Sequence, residues 1–272
     1  MNRLNFSRWT LIFLLILLPV ALAAQTNCEE GDGPLKTSEP ASMNSQDIIQ
    51  KFATKEGVFK QARDNYTYTQ DVTVQTLEGH TVDGEFREVT DVTYDDKGNR
   101  IENVTYAPQP SLTRVSMTKE DFEDIRRQMP FVLTVQDLPQ YDVLYVGTQH
   151  VDEIDTYVFD IAPKKIEKDK RYFQGRIWVD DHDMQIVKTC GKSVPDIRKK
   201  NEENLMPKFV TYREQIDGRY WFPTYTRADD DLHFSGSDVH IREIIKYTNY
   251  KRFGSRTKII IKGEVPEDKP PK

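Results

Sequence analysis

The chain has 272 residues, 37% of them hydrophobic and 30% charged, with 38 basic and 44 acidic residues giving a net charge of −6. An acidic balance offers no general electrostatic attraction to nucleic acid or to anionic lipid surfaces, which sets both aside as bulk partners. The roughly 250 residues that follow the first two dozen suffice for one large β domain or two smaller ones.

Residues 1–24 have the three parts of a cleavable signal peptide. Arg3 and Arg8 provide a positive start, an apolar run covers 11–18, and after Pro19 small residues stand at Ala21, Ala23 and Ala24. Cleavage is expected before Ala24 or Gln25, which leaves 36 basic against 44 acidic residues, a net charge of −8. The apolar stretch 9–24 is shorter than the ~20 residues of a bilayer span. Cys28 follows Gln25-Thr26-Asn27, which is not a small-residue lipobox. The mature protein is therefore expected to be periplasmic or otherwise secreted and not membrane-spanning. Residues 25–43 are polar, with Gly, Pro and Ser, and read as a disordered leader. Cys28 and Cys190 are the two cysteines; in an oxidising compartment they either pair or remain free thiols.

A first helix can start at Asn44 or Ser45, with Asp47 in its first turn and Ile48, Ile49, Phe52, Ala53 and Phe59 as one apolar stripe. From 66 to 74 apolar or aromatic residues (Tyr66, Tyr68, Val72, Val74) alternate with polar ones, the pattern of a strand with one wet face. Strands at 82–94 and 101–106 follow, joined by a turn at 95–99 whose Gly98 and Asn99 suit positive φ. Thr118 with Asp121 caps a second helix carrying Phe122, Ile125 and Met129.

Strands then run at 141–148, 154–161, 172–179, 184–190, 209–216, 220–227, 239–250 and 257–261. In the third of these, Phe173, Ile177 and Val179 oppose Gln174, Arg176 and Asp180, with Trp178 the exception on the wet side. The charged stretch 195–204 is expected as a surface loop or short helix. No repeat of fixed period appears, and strands do not alternate with helices, so propellers, solenoids and parallel α/β folds are excluded. The expected fold is mainly β (α+β). A strongly curved antiparallel half-barrel of about eleven strands is covered by two or three helices. It forms one domain over 44–262, with a disordered tail over 263–272.

The helix over Ile48 to Phe59 running into the Tyr66 strand resembles the opening of the LolA/LolB superfamily, which includes lipoprotein carriers and RseB-like sensors. Gly175-Arg176-Ile177-Trp178-Val179-Asp180 with Met184 to Lys188 resembles its central hairpin, and Phe222-Pro223-Thr224-Tyr225 its late one. The resemblance implies a half-open barrel holding acyl chains under a helical lid. It makes Ile48, Phe52, Phe122 and Ile125 of the lid, with Tyr68, Val72, Phe173 and Ile177 of the sheet, the candidate ligand contacts. The carriers of that superfamily close the lid with an arginine; Arg87, Arg100 and Arg114 are all candidates here. The implied partner is a lipid or acylated lipoprotein, with an envelope protein as a further partner, bound without a cofactor and without catalysis.

Other chemistry is thinner. Asp229-Asp230-Asp231, His233, Asp238 and His240 combine carboxylates and imidazoles, making His233, His240 and Asp238 candidate metal ligands, yet they match no established metal spacing. A solvated acidic hairpin explains the same composition. No G-x-S-x-G or other nucleophile context is present, and His80 and His182 fall in turns. Two alternatives stand beside the carrier: an adaptor with a filled interior, and a metal-dependent hydrolase using 229–240.

Overall fold

The computed structural model describes residues 26–253 apart from 31, 41, 42, 96, 200 and 201. The expected signal peptide with its cleavage point, the expected strand at 257–261 and the expected tail at 263–272 lie outside the described residues. In chain order the elements are α1 (Ser45–Arg63), β1 (Tyr66–Glu78), β2 (Thr81–Tyr94), β3 (Arg100–Tyr106) and α2 (Lys119–Arg127). A single 3-10 turn (Leu138–Gln140) leads into β4 (Tyr141–Val151), β5 (Ile154–Pro163), β6 (Tyr172–Asp180) and β7 (Ile186–Val194). The chain continues through β8 (Ile197–Lys199), β9 (Glu202–Asn204), β10 (Phe209–Ile216), β11 (Tyr220–His233) and β12 (Asp238–Arg252). Among the described residues no helix is long and apolar enough to cross a membrane.

Both helices begin as their sequences direct. The Asn44 side chain accepts from Asp47 N at 2.8 Å, satisfying one of the amides that a helix start leaves without a partner. Thr118 and Asp121 form a reciprocal capping box: the Asp121 amide donates to Thr118 Oγ1 at 3.3 Å, and the Thr118 amide to Asp121 Oδ2 at 2.6 Å.

Ten strands form one antiparallel sheet in the order β3-β2-β1-β12-β11-β10-β7-β6-β5-β4, with β3 and β4 as the outermost strands, so the sheet is not closed into a barrel. These ten are the strands expected between 66 and 250. The differences are local. β11 runs on to His233, because Asp229 and Asp231 continue the ladder opposite Arg242 and His240 of β12. The charged 195–204 stretch is neither loop nor helix but a short hairpin of β8 and β9, with Arg198 opposite Glu203. Leu205 and Met206, just beyond it, are buried.

One sheet face packs on the helices. Residues from β1 and β2 (Tyr68, Val72, Val92) and from β4 and β5 (Tyr141, Phe159, Ile161), near opposite ends of the strand order, belong to one cluster with Ile48, Phe52 and Ile125. A sheet curling around its helices brings its two ends into one core; a flat one of this width holds them tens of ångströms apart, at about 4.8 Å per strand.

The opposite face carries the largest correction. The leader, expected to be disordered, lies in its described part as a strap on this face. Gly33 N donates to His150 O at 2.8 Å, and Lys36 and Thr148 exchange backbone bonds of 2.8 and 2.9 Å. Gly147 permits the approach, since a Cβ there would lie 2.2 Å from Lys36 O. A disulfide joins Cys28 to Cys190. Glu29 pairs with Arg176 at 2.9 Å, and Asp32 with Lys188 at 2.6 Å, the latter pair almost wholly buried. Beneath the strap sit Val158, Trp178, Val187 and Val210. Trp178 is thus not on a wet face: it is fully buried and donates to Gln149 Oε1 at 2.7 Å. The polar composition that suggested disorder instead supplies carboxylates to the bases of this face.

Candidate functional site

The eight expected ligand contacts come together, but as packed core. Ile48, Phe52, Tyr68, Val72, Ile125, Phe173 and Ile177 are buried in the helix-side cluster, with Phe122 at its margin. Phe52 meets Phe159 at 5.4 Å between ring centroids, and Phe131 stacks on Phe173 at 4.4 Å. None of the eight lines the cleft described below.

The three candidate arginines hold other partners. Arg87 pairs with Asp71 at 2.8 Å, Arg114 with Asp83 at 2.7 Å, and Arg100 with Glu102 at 2.6 Å. The buried helix-to-sheet ties are made elsewhere. Glu56 of α1 faces Arg213 of β10, and Asp124 of α2 faces Arg171 just before β6.

An open space on the helix side does exist, beside the N-terminus of α2. It is a cleft of about 270 Å³ over β1, β11 and β12, walled by the 114–118 segment and by residues 203–207. Val74, Val115, Met117, Leu205, Leu232 and Ile241 supply much of its apolar lining. Its volume lies just under the ~300–1,000 Å³ of typical ligand pockets.

Four carboxylates stand in or against this cleft, and three have partners. Asp121 accepts from Asn204 Nδ2 at 2.8 Å as well as from its capping-box donors. Glu203 accepts from Ser235 N at 2.9 Å and pairs with Arg198 at 3.1 Å. Asp124 is held by Arg171; burial outweighs that guanidinium and pushes its pKa up to about 6. Glu243 differs. It lies on β12 between Val74 of β1 and Ala228 of β11, is only 4% exposed and lines the cleft. Among the described residues its side chain has no hydrogen-bond or ion-pair partner. Burial first, then the charges of Asp121 and Asp124, push its pKa up to about 8.

That shift has a consequence for stability. The unfolded chain ionises this carboxyl near 4.5 and the folded chain near 8. Between the two the native state binds more protons, so the group's contribution is complete below 4.5 and is lost as pH rises through 8. Urea unfolding of the wild type should fall by up to about 1.4 kcal/mol per pH unit relative to Glu243→Gln across that window. Parallel pH profiles for the two proteins would contradict the assignment.

The candidate metal ligands do not converge. His233 and Asp238 form an exposed pair at 2.9 Å. The His240 ring lies between Asp231 and Asp229, at 2.7 and 2.6 Å, so carboxylates engage both of its nitrogens. Among the described residues, the three-ligand grouping within 4.8 Å is Asp180, Asp181 and His182. There the Asp180 carboxyl already accepts from the amides of His182 and Asp183 at 2.7 Å each.

The fold is thus an open, curled antiparallel sheet packed around two helices, with a partly apolar cleft at the start of α2. Among solved structures the chain is similar to a DUF1329 family protein from Desulfovibrio piger, at 16% identity and a TM-score of 0.40, over 81% of this chain and 96% of that one. It is also similar to a LolA superfamily protein from Nitrosomonas europaea, at 14% identity and a TM-score of 0.35, over 80% and 97%. A MucA/MucB complex of Pseudomonas aeruginosa resembles it more distantly, at 11% identity and a TM-score of 0.22, over 77% and 99%. No protein-family model matches the sequence, and no curated protein does. These are likenesses of fold, and the chemistry of the cleft rests on this chain's own residues.

The sequence reading missed Leu205, Met206 and Glu243. Glu243 had a signal: it interrupts the inward alternation Val239, Ile241, Ile245, Tyr247 with a charge.

Proposed function

We propose that the protein is an exported, non-catalytic binding protein that holds one apolar chain of a lipid or acylated protein in the cleft beside α2. The observation that carries this reading is the space of about 270 Å³ on the helix face of the sheet, whose walls include Val74, Val115, Met117, Leu205, Leu232 and Ile241. Burying a chain there gains roughly 0.8 kcal/mol per methylene, enough to bind without covalent chemistry. The strap disulfide suits an oxidising compartment, which supports export.

A neutral fluorescent acyl ester should bind saturably and be displaced by unlabelled ester. Met117→Trp, which puts a larger side chain into the cleft from a half-buried wall position, should weaken that binding at least about tenfold while leaving the β-type circular dichroism intact. Absence of saturable uptake by delipidated, folded wild type would end the carrier reading.

The filled interior beneath α1 favours a second reading, a module acting through protein contacts. Its surface would be the free edge β3, where Ile101, Val104 and Tyr106 are about half exposed.

A further inference from the structure

The charge arrangement of the cleft goes beyond apolar binding. Arg114 is held by Asp83 at 2.7 Å, Arg171 by Asp124 and Arg198 by Glu203 at 3.1 Å, so each cation named around the cleft has its own carboxylate. Asp121 is met by neutral donors, the Asn204 amide and the Thr118 hydroxyl and backbone. Tyr247, the other titratable group close to Glu243, supplies no positive charge. Two carboxyl groups, Asp121 and Glu243, therefore face an apolar space without a cation. One of them, Glu243, is 4% exposed and has no hydrogen-bond or ion-pair partner among the described residues.

A buried carboxyl left without a partner costs stability. Here the apolar cleft opens directly onto it. We infer that the cleft selects an amphiphile whose head is a protonated amine, with Glu243 as the group that pairs with that head and the walls of Met117, Leu205 and Ile241 holding the tail. This inference rests on the proposed function, since it assigns the head chemistry of the chain bound at that site. A carboxylate head is disfavoured, because it would stand beside Asp121 in a low-dielectric space and, as pH approaches 8, against an ionised Glu243 as well. A neutral head forgoes the ion pair but keeps the tail.

Binding an ammonium requires Glu243 to be ionised. The amine's affinity should therefore climb with pH toward about 8, while that of a neutral amphiphile stays flat. Burial first, then Asp121 and Asp124 of α2, oppose ionisation in the empty cleft. The bound ammonium relieves all of them together.

The test is displacement of the neutral acyl ester by decylamine, decanol and decanoate, each below its micelle concentration, at pH 6, 7 and 8. The expected order is amine, then alcohol, then carboxylate. The amine-to-alcohol affinity ratio should reach at least about tenfold at pH 8 and shrink toward pH 6. Glu243→Gln should bring that ratio near one at every pH. Glu243→Asp, which keeps the charge, should restore part of the preference. If decanol displaces the ester but decylamine is no better in the wild type at pH 8, or if Glu243→Gln keeps the preference, the head assignment fails while the cleft remains a binding site. If no amphiphile displaces the ester, or the ester itself does not bind, both readings fall.

Discussion

Replacing Arg213 with leucine should cost about 3–5 kcal/mol of folding stability, the usual range when one partner of a buried ion pair is removed. Arg213 and Glu56 have side chains 1% and 0% exposed, so neither charge has water to fall back on. Arg213 Nη1 donates to both Glu56 oxygens at 3.2 Å and to Ile186 O at 3.3 Å, while Nη2 donates to Phe131 O. The guanidinium lies 5.2 Å from the Phe59 ring centroid. Glu56 also accepts from Ile186 N at 3.1 Å, so the pair ties α1 to β7 and β10 at once. Burial raises the Glu56 pKa even with Arg213 beside it.

Without Arg213 that rise is larger. The loss in Arg213→Leu should accordingly be greater at pH 8 than at pH 5, where Glu56 can take a proton. The double variant Glu56→Leu with Arg213→Leu should recover much of the loss, because it removes both buried charges. Urea unfolding at the two pH values reads all of this. An Arg213→Leu protein within about 1 kcal/mol of wild type would mean that the pair does not hold α1 to the sheet.

Much of the fold was readable because one-sided burial leaves a period in the sequence. β1 alternates buried and half-buried residues from Tyr66 to Thr76, and that alternation marks its start; the strand then runs on to Glu78, past the 66–74 that the sequence pattern marks. β6 shows where such reading stops. Phe173, Ile177 and Val179 mark the inward face, but Trp178 on the other face is as fully buried as they are. Period two reports that a face is covered, not which remote segment covers it. The cover is polar strap sequence that looked like solvent-exposed leader.

The site was hidden for a related reason. An inward apolar residue such as Phe52 or Phe173 has the same pattern in a filled core as at a cavity wall. What distinguishes the cleft is a departure from pattern, the charge of Glu243 among inward apolar residues. Asp229 to Asp231 mislead in the opposite sense: three acids in a row suggest a loop, yet backbone pairing with β12 and the bases His240 and Arg242 keep them on a strand.

Removing the strap's covalent tie should produce the other large loss. Cys28 and Cys190 are 162 residues apart in sequence, and on the chain-entropy account a cross-link closing so long a loop stabilises by about 5 kcal/mol. Most of that effect lies in the unfolded chain. Cys28→Ser should therefore keep the native fold, because the strap retains its backbone pairing at Gly33 and Lys36 and the Asp32–Lys188 pair. A loss approaching 5 kcal/mol in urea, matched by Cys190→Ser and by the double variant, is the expected result. The three must agree, since each removes the same single bond.

Asp32→Ala in the oxidised protein separates the tie from what it covers. Lys188 is 1% exposed and sits 4.7 Å from the Trp178 ring centroid, so stripping its carboxylate leaves a buried ammonium and should cost about 3–5 kcal/mol with the disulfide intact. Its Trp178 fluorescence should also change, which the serine variants need not do. Non-reducing peptide maps should show the Cys28 and Cys190 peptides linked. If both thiols alkylate freely in folded protein purified without reductant, the strap is not covalently tied. The serine variants should then unfold at the wild-type urea concentration.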